Sequence, residues 1–202
     1  MATQVCWQPS LLGVEPESEV LSFRHAVRHE LGRGAWLEEI PFAARGTDQL
    51  FELVLTRAPW GGVETRPMYD RLVEVPRLHS GVWPDPPEVL VAMSRALSER
   101  YGVALTNISA NHYRDGNDSV AWHGDRVGRH RAVTVVAILT LGSPRRFLLR
   151  PSGGGRSMAF EPGPGDLLVM GGTCQRTFEH SVPKRSHAGP RICVMFREPG
   201  GN

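Results

Sequence analysis

Gly189-Pro190-Arg191-Ile192-Cys193-Val194-Met195-Phe196-Arg197 reads as a β-strand. Successive side chains leave a strand on opposite faces. Ile192, Val194 and Phe196 therefore share one face, and Arg191, Cys193, Met195 and Arg197 share the other. An apolar face backed by a face with an arginine at each end describes a strand with a core on one side and a pocket on the other. Two guanidinium groups suit a dicarboxylate, because each can hold a carboxylate through two parallel hydrogen bonds.

Upstream lies Ala121-Trp122-His123-Gly124-Asp125. In an extended stretch His123 and Asp125 leave the same face, and an imidazole and a carboxylate aimed together suit a divalent metal. A bare His-x-Asp is a weak signal; the two-arginine strand strengthens it. The third ligand of such a site usually comes from a distant strand, and His180, in Arg176-Thr177-Phe178-Glu179-His180-Ser181-Val182-Pro183, is the candidate. Two histidines and a carboxylate on one face of a metal form the facial triad of non-haem Fe(II) oxygenases, with open positions for other ligands. Asn111 and Tyr113, again two apart, are placed to give neutral hydrogen bonds to the same dicarboxylate. Trp122 and His112 point to the opposite faces of their stretches and read as structural.

At 202 residues the chain is long enough for one domain with a full core. No apolar run approaches the roughly 20 residues of a membrane span, and the N-terminus has no secretory pattern. Cys6, Cys174 and Cys193 sit at no metal-like spacing and are expected as free thiols in a reduced, cytoplasmic compartment. The net charge of +2 does not by itself indicate nucleic-acid binding, which needs a local patch. Three local groups exist: Arg126, Arg129, His130 and Arg131; Lys184, Arg185 and His187; and Arg145, Arg146 and Arg150. Each taken alone reads as solvated surface, but two of the three follow candidate metal ligands.

Residues 1–18 read as an irregular arm, 19–30 as a short helix, and 35–40 as a strand. Thr47-Asp48-Gln49 resembles a helix N-cap, with Leu50, Phe51, Val54 and Leu55 at helical spacing before Pro59. The Gly-, Pro- and Arg-bearing stretch 60–87 is too long for an idle connection and reads as a lid or binding loop. Pro87-Glu88 opens a helix with Val89, Leu90, Met93, Leu97 and Tyr101 on one stripe and Gly102 as its stop. Short strands are expected over 109–113, 133–141, 146–150, 157–160, 166–170, 176–181 and 191–197, separated by Gly- and Pro-rich turns. Helices first and strands second give an α+β class, and the strand run reads as a sandwich or jelly roll. The expected organisation is one domain, with an N-terminal extension, helices and lid over 1–105 and a jelly-roll catalytic core over 106–198.

Asn-x-Tyr, His-x-Asp, a distal His, and an Arg with a second Arg six residues on resemble the AlkB family of Fe(II)- and 2-oxoglutarate-dependent nucleic-acid dealkylases. The resemblance covers 106–198, and more loosely 66–81 as a substrate lid. It implies a double-stranded β-helix with iron at one open end, and Fe(II), 2-oxoglutarate and O2 as cofactor and cosubstrates. His123, Asp125 and His180 would hold the metal; Arg191, helped by Asn111 and Tyr113, would hold the 5-carboxylate, with Arg197 nearer the 1-carboxylate. The implied activity is oxidative demethylation of alkylated bases in DNA, with RNA as the alternative. The base would be sandwiched between His123 and a lid residue, Tyr69, His79 or Trp83. Met68, Arg71 and Arg77 would assist, and Arg129 and Arg131 would meet phosphate. Many relatives carry an acidic residue two places after the metal Asp, where this chain has Val127, so the resemblance does not fix the lesion. Two rival readings use the same residues: a dioxygenase of a protein side chain or small metabolite, and a catalytically silent nucleic-acid-binding module. A monomer with no membrane association is expected.

Overall fold

The computed structural model describes residues 20–61, 65–68, 71–74, 76–125 and 131–200. In chain order the elements are β1 (Val27–Gly32), β2 (Ala35–Ile40), α1 (Thr47–Arg57), β3 (Thr65–Met68), β4 (Arg71–Glu74), β5 (Leu78–Val82) and α2 (Glu88–Tyr101). There follow β6 (Asn107–Tyr113), β7 (Val120–His123), β8 (Val136–Gly142), β9 (Phe147–Pro151), β10 (Met158–Phe160), β11 (Leu167–Gly172), α3 (Cys174–Thr177), β12 (Phe178–Val182) and β13 (Arg191–Arg197).

The strands assemble into a major sheet of order β1-β2-β11-β8-β13-β6-β5 and a minor sheet of order β10-β9-β12-β7, with β3-β4 as a separate hairpin. This is a double-stranded β-helix with helices against the outer face of the major sheet. That sheet is covered on both sides because its strands carry apolar residues in both phases. Ile192, Val194 and Phe196 of β13 join Ala137, Leu139 and Leu141 of β8 against Leu50 and Val54 of α1 and Leu90 and Leu97 of α2. Ile138, Leu168, Met170 and Met195 face Phe147 and Leu149 of the minor sheet in a second core. Each fully buried large aliphatic contributes about 1.5–3 kcal/mol.

Helix α2 follows its sequence signals. Leu90, Met93 and Leu97 are buried, and Gly102 ends the helix at φ 67, where a Cβ would be strained. Helix α1 departs in detail: its N-cap is Gly46, with no side-chain cap hydrogen bond, and Thr47 is already helical.

Four expectations are corrected. Residues 27–30 are not helical but belong to β1, because the glycines at 32 and 34 flank the turn of the β1–β2 hairpin instead of breaking a helix. The stretch 60–87 is not all loop: it holds β3, β4 and β5, and β5 extends the major sheet beside β6. The strand expected from 133 starts at Val136, and that expected from 176 starts at Phe178, after the single turn α3. Because β1, β2 and β5 precede residue 106, the jelly roll draws strands from both halves of the chain.

Gly171 of β11 lies against the Trp36 indole, where an added Cβ would come within 1.9 Å of the ring. Gly171→Ala is therefore expected to lower stability by about 1–3 kcal/mol through overpacking. Urea unfolding measures this, and a loss within the roughly 0.5 kcal/mol of a neutral surface change would mean that Trp36 yields without cost.

Candidate metal and cosubstrate site

The minor sheet pairs β7 with β12 so that His123 lies opposite His180, with ring centroids 4.3 Å apart. Asp125 follows β7 by two residues, and its backbone N–H donates to Gln175 Oε1 at 2.9 Å. One ligand atom from each of His123, Asp125 and His180 lies within 4.8 Å of the others. Small side-chain rotations would bring these atoms onto a single ion with bonds of about 2.0–2.2 Å.

The protonation states suit a cation. His123 Nδ1–H donates to the Ala121 carbonyl at 2.8 Å, which leaves Nε2 with its lone pair. Burial lowers the His123 pKa against the opposing pull of Asp125. Burial, reinforced by the neighbouring His123, lowers His180 to about 3, so its ring is neutral at neutral pH. Burial alone would raise Asp125. The Arg197 guanidinium and the two imidazoles outweigh it and hold the carboxyl well below the usual carboxylate range. Arg197 Nη2 and Nε both approach Asp125 Oδ2, at 3.1 and 3.3 Å, while Oδ1 faces His123 Nε2 at 4.0 Å. Arg197 thus occupies one carboxylate oxygen and leaves the other toward the histidines.

The three side chains open onto a cavity of about 490 Å³ that also holds Asn111, Tyr113, Arg191 and Arg197. All four come from β6 and β13, which pair directly: Arg191 opposite Tyr113, Cys193 opposite Asn111. Arg191 is fully buried. Its Nη2 donates to Thr140 Oγ1 at 3.1 Å, while Nε and Nη1 have no hydrogen-bond partner among the described residues. Burying a cation without an anion costs several kcal/mol, so this guanidinium defines a subsite for a carboxylate. Tyr113 is buried beneath it, which raises its phenol pKa, and its hydroxyl oxygen accepts from Arg77 Nη1 at 3.0 Å. A neutral-histidine and carboxylate donor set at one end and an unmet buried guanidinium at the other fit a divalent metal and a dicarboxylate together.

The remaining expected contacts divide. Arg77 and His79 line the cavity, and His79 Nδ1–H donates to Asn111 Oδ1 at 2.8 Å. Trp83 does not line it: the ring is buried in the helix-side core, which removes it as a base-stacking partner. Arg131 is ion-paired with Glu198, so a phosphate contact there would start from a formed pair. Tyr69, Arg129 and Val127 lie outside the described residues, and only the backbone of Met68 and Arg71 is described. Arg145, grouped above with surface cations, is buried and donates to the carbonyls of Asp115, Asp118 and Pro183. Trp122 lies half-buried beneath the Arg150 guanidinium, 3.9 Å from its ring centroid.

Sequence reasoning missed Thr140, Gln175 and Ser109, whose hydroxyl accepts from Arg197 at 2.9 Å. Thr140 had a readable signal, a single hydroxyl within the apolar run Val136-Ala137-Ile138-Leu139-Thr140-Leu141. Gln175 had none, since it belongs to a one-turn helix with no pattern.

The model of the 2OG-Fe(II) oxygenase superfamily matches residues 37–197. Alpha-ketoglutarate-dependent dioxygenase alkB homolog 3 of Bos taurus is 30% identical over 173 residues, covering 74% of this chain and 60% of that protein. DNA oxidative demethylase ALKBH2 of Arabidopsis thaliana is 31% identical over 142 residues, covering 57% of this chain and 44% of that protein. The uncharacterized protein R406 of Acanthamoeba polyphaga mimivirus is 31% identical over 112 residues, covering 54% and 58%. The chain thus spans at most 60% of the length of these curated relatives. Among solved structures, OsALKBH1 superposes with a TM-score of 0.60 at 15% identity, covering 85% of this chain and all of that one. A prolyl hydroxylase from Trichoplax adhaerens shares the fold at TM-score 0.57 and 12% identity, covering 80% and 83%. The chain belongs to the 2OG-Fe(II) oxygenase superfamily, and the named curated relatives it is similar to are AlkB homologues. The cofactor and cosubstrates of that family are Fe(II), 2-oxoglutarate and O2.

The His180 shift has a signed consequence for the metal-free protein. Its pKa falls from 6.5 to about 3 on folding, so between these values the unfolded chain binds more protons. Stability should therefore fall as pH is lowered from 6.5 toward 3. Thermal melts across this window should show a shallower decline in His180→Gln than in wild type. Equal slopes would show that His180 is not held neutral.

Proposed function

We propose that the protein is an Fe(II)- and 2-oxoglutarate-dependent dioxygenase that oxidatively demethylates alkylated bases in DNA, with RNA as the alternative polymer. The observation that carries the reaction class is the buried Arg191, with two donors unmet among the described residues, in the same cavity as the His123, Asp125 and His180 cluster. The nucleic-acid substrate is supported by the names of the curated relatives, a DNA oxidative demethylase among them. Basic residues that follow the metal ligands in sequence, Arg126, Arg129 and Lys184 among them, support it as well.

When bound, Fe(II), 2-oxoglutarate and O2 would supply hydroxylation of an N-methyl carbon with release of succinate and CO2, and loss of formaldehyde from the hydroxymethyl group would restore the base. The protein's own contribution is placement. His123, Asp125 and His180 would hold the metal from one side and leave the other open. Arg191, steered by Thr140, would clamp the distal carboxylate, with Tyr113 and Asn111 beside it. Arg197 holds Asp125 ionised and oriented. Burial of Arg191 and Tyr113 keeps water from that end of the cavity and strengthens each charge contact. A methylated base must leave its stack to reach the metal ligands in this cavity.

His123→Ala, Asp125→Ala and His180→Ala should each abolish succinate production and weaken iron binding; full activity in any one would remove that residue from the ligand set. Arg191→Ala should weaken 2-oxoglutarate binding by on the order of 3–5 kcal/mol, and Arg191→Lys should recover only part of it, since a point charge replaces a fork. Titration showing unchanged cosubstrate affinity in Arg191→Ala would contradict the assignment. Competition of turnover by unmodified oligonucleotide is expected. Its absence, with turnover of a peptide or metabolite instead, would move the enzyme to another substrate.

A further inference from the structure

Strand β5 carries the segment expected as a lid into the cavity. It pairs with β6 so that His79 lies opposite Asn111, and the two side chains meet on the cavity face at 2.8 Å. Asn111 is 7% exposed, so its amide must find partners within the protein. A primary amide has one acceptor oxygen and two N–H donors, and a half-turn exchanges them. His79 Nδ1–H occupies the oxygen. Asn111 Nδ2 donates to Met195 Sδ at 3.4 Å, a weak acceptor on the cavity wall. The amide is therefore locked with its donor end on a partner that a carboxylate oxygen would readily replace. If turned over, it would present its own oxygen to that carboxylate and repel it.

We propose that His79 is a positioning residue for the cosubstrate: by holding Asn111 Oδ1 it keeps Asn111 Nδ2 directed at a 2-oxoglutarate carboxylate. The role expected from sequence, one face of a base sandwich, gives way to a role exerted through Asn111. Substrate-lid strand and cosubstrate pocket are then joined by a hydrogen bond, and cosubstrate affinity depends on the seating of β5. The inference rests on the reading that the cavity takes 2-oxoglutarate.

The test is calorimetric titration of 2-oxoglutarate into the Fe(II)-loaded full chain without oxygen, for wild type, His79→Leu, His79→Ala and His79→Gln. Leu and Ala should each weaken binding about threefold to tenfold, the worth of one ordinary hydrogen bond. Gln can donate to the same oxygen and should recover most of the loss. In an Asn111→Ala background the His79→Leu change should have no further effect. In turnover on a methylated oligonucleotide, His79→Leu should raise KM for 2-oxoglutarate while kcat and the oligonucleotide KM stay near wild type. Two different apolar replacements keep the test intact if one fails to fold. Unchanged cosubstrate affinity in the variants that fold would overturn the proposal, as would a raised oligonucleotide KM with an unchanged 2-oxoglutarate KM. Wild type that binds no 2-oxoglutarate would instead overturn the functional reading beneath it.

Discussion

Register of β13 between β6 and β8 is the constraint on which the site depends. Arg191 pairs with Tyr113 and Gly142, and Arg197 with Asn107 and Val136. A slip of one residue would turn every side chain to the opposite face. Both arginines would enter the helix-side core, and Ile192, Val194 and Phe196 would line the cavity. Burial of those three residues at 0% exposure therefore holds the guanidinium groups in place. Hydrophobic packing on one face fixes the polar chemistry on the other.

The polar face is costly in isolation. Arg191 is buried with two donors unmet among the described residues, and Asp125 is largely covered, among two imidazoles and a guanidinium. A core optimised only for stability would carry neither. An unpaired buried cation costs more than an ordinary hydrogen bond returns, so binding of a complementary anion should offset part of that cost. The same logic applies to Asp125, where Arg197 already offsets burial before a metal does. Desolvation keeps the histidines neutral, and a neighbouring cation keeps the carboxylate charged.

Much of the site was legible because strands write their faces into sequence with period two. Alternation placed Arg191 with Arg197, Asn111 with Tyr113, and His123 with Asp125, and the structure gathers all six around one cavity together with His180. Legibility failed where the decisive contact was long-range or conformational. The glycines at 32 and 34 looked like helix breakers because nothing local shows that β1 will find β2. Trp83 looked like a stacking partner because position within a lid segment does not reveal that the residue just past β5 packs into the core. Arg145 looked like surface charge because its three carbonyl partners come from segments distant in sequence. His79 was found as a site residue, but its hydrogen bond to Asn111 was not legible, since only the β5–β6 register sets the two side by side.

In the proposed reaction one cavity couples a metal, a dicarboxylate and an alkylated base. The most direct measurement is mass spectrometry of purified protein with Fe(II), 2-oxoglutarate and a panel of methylated oligonucleotides, counting both products. Demethylated oligonucleotide and succinate are expected in equal amounts, with neither formed when Fe(II) is chelated. Succinate that does not rise with any methylated oligonucleotide, or demethylation that proceeds without 2-oxoglutarate, would contradict that proposal.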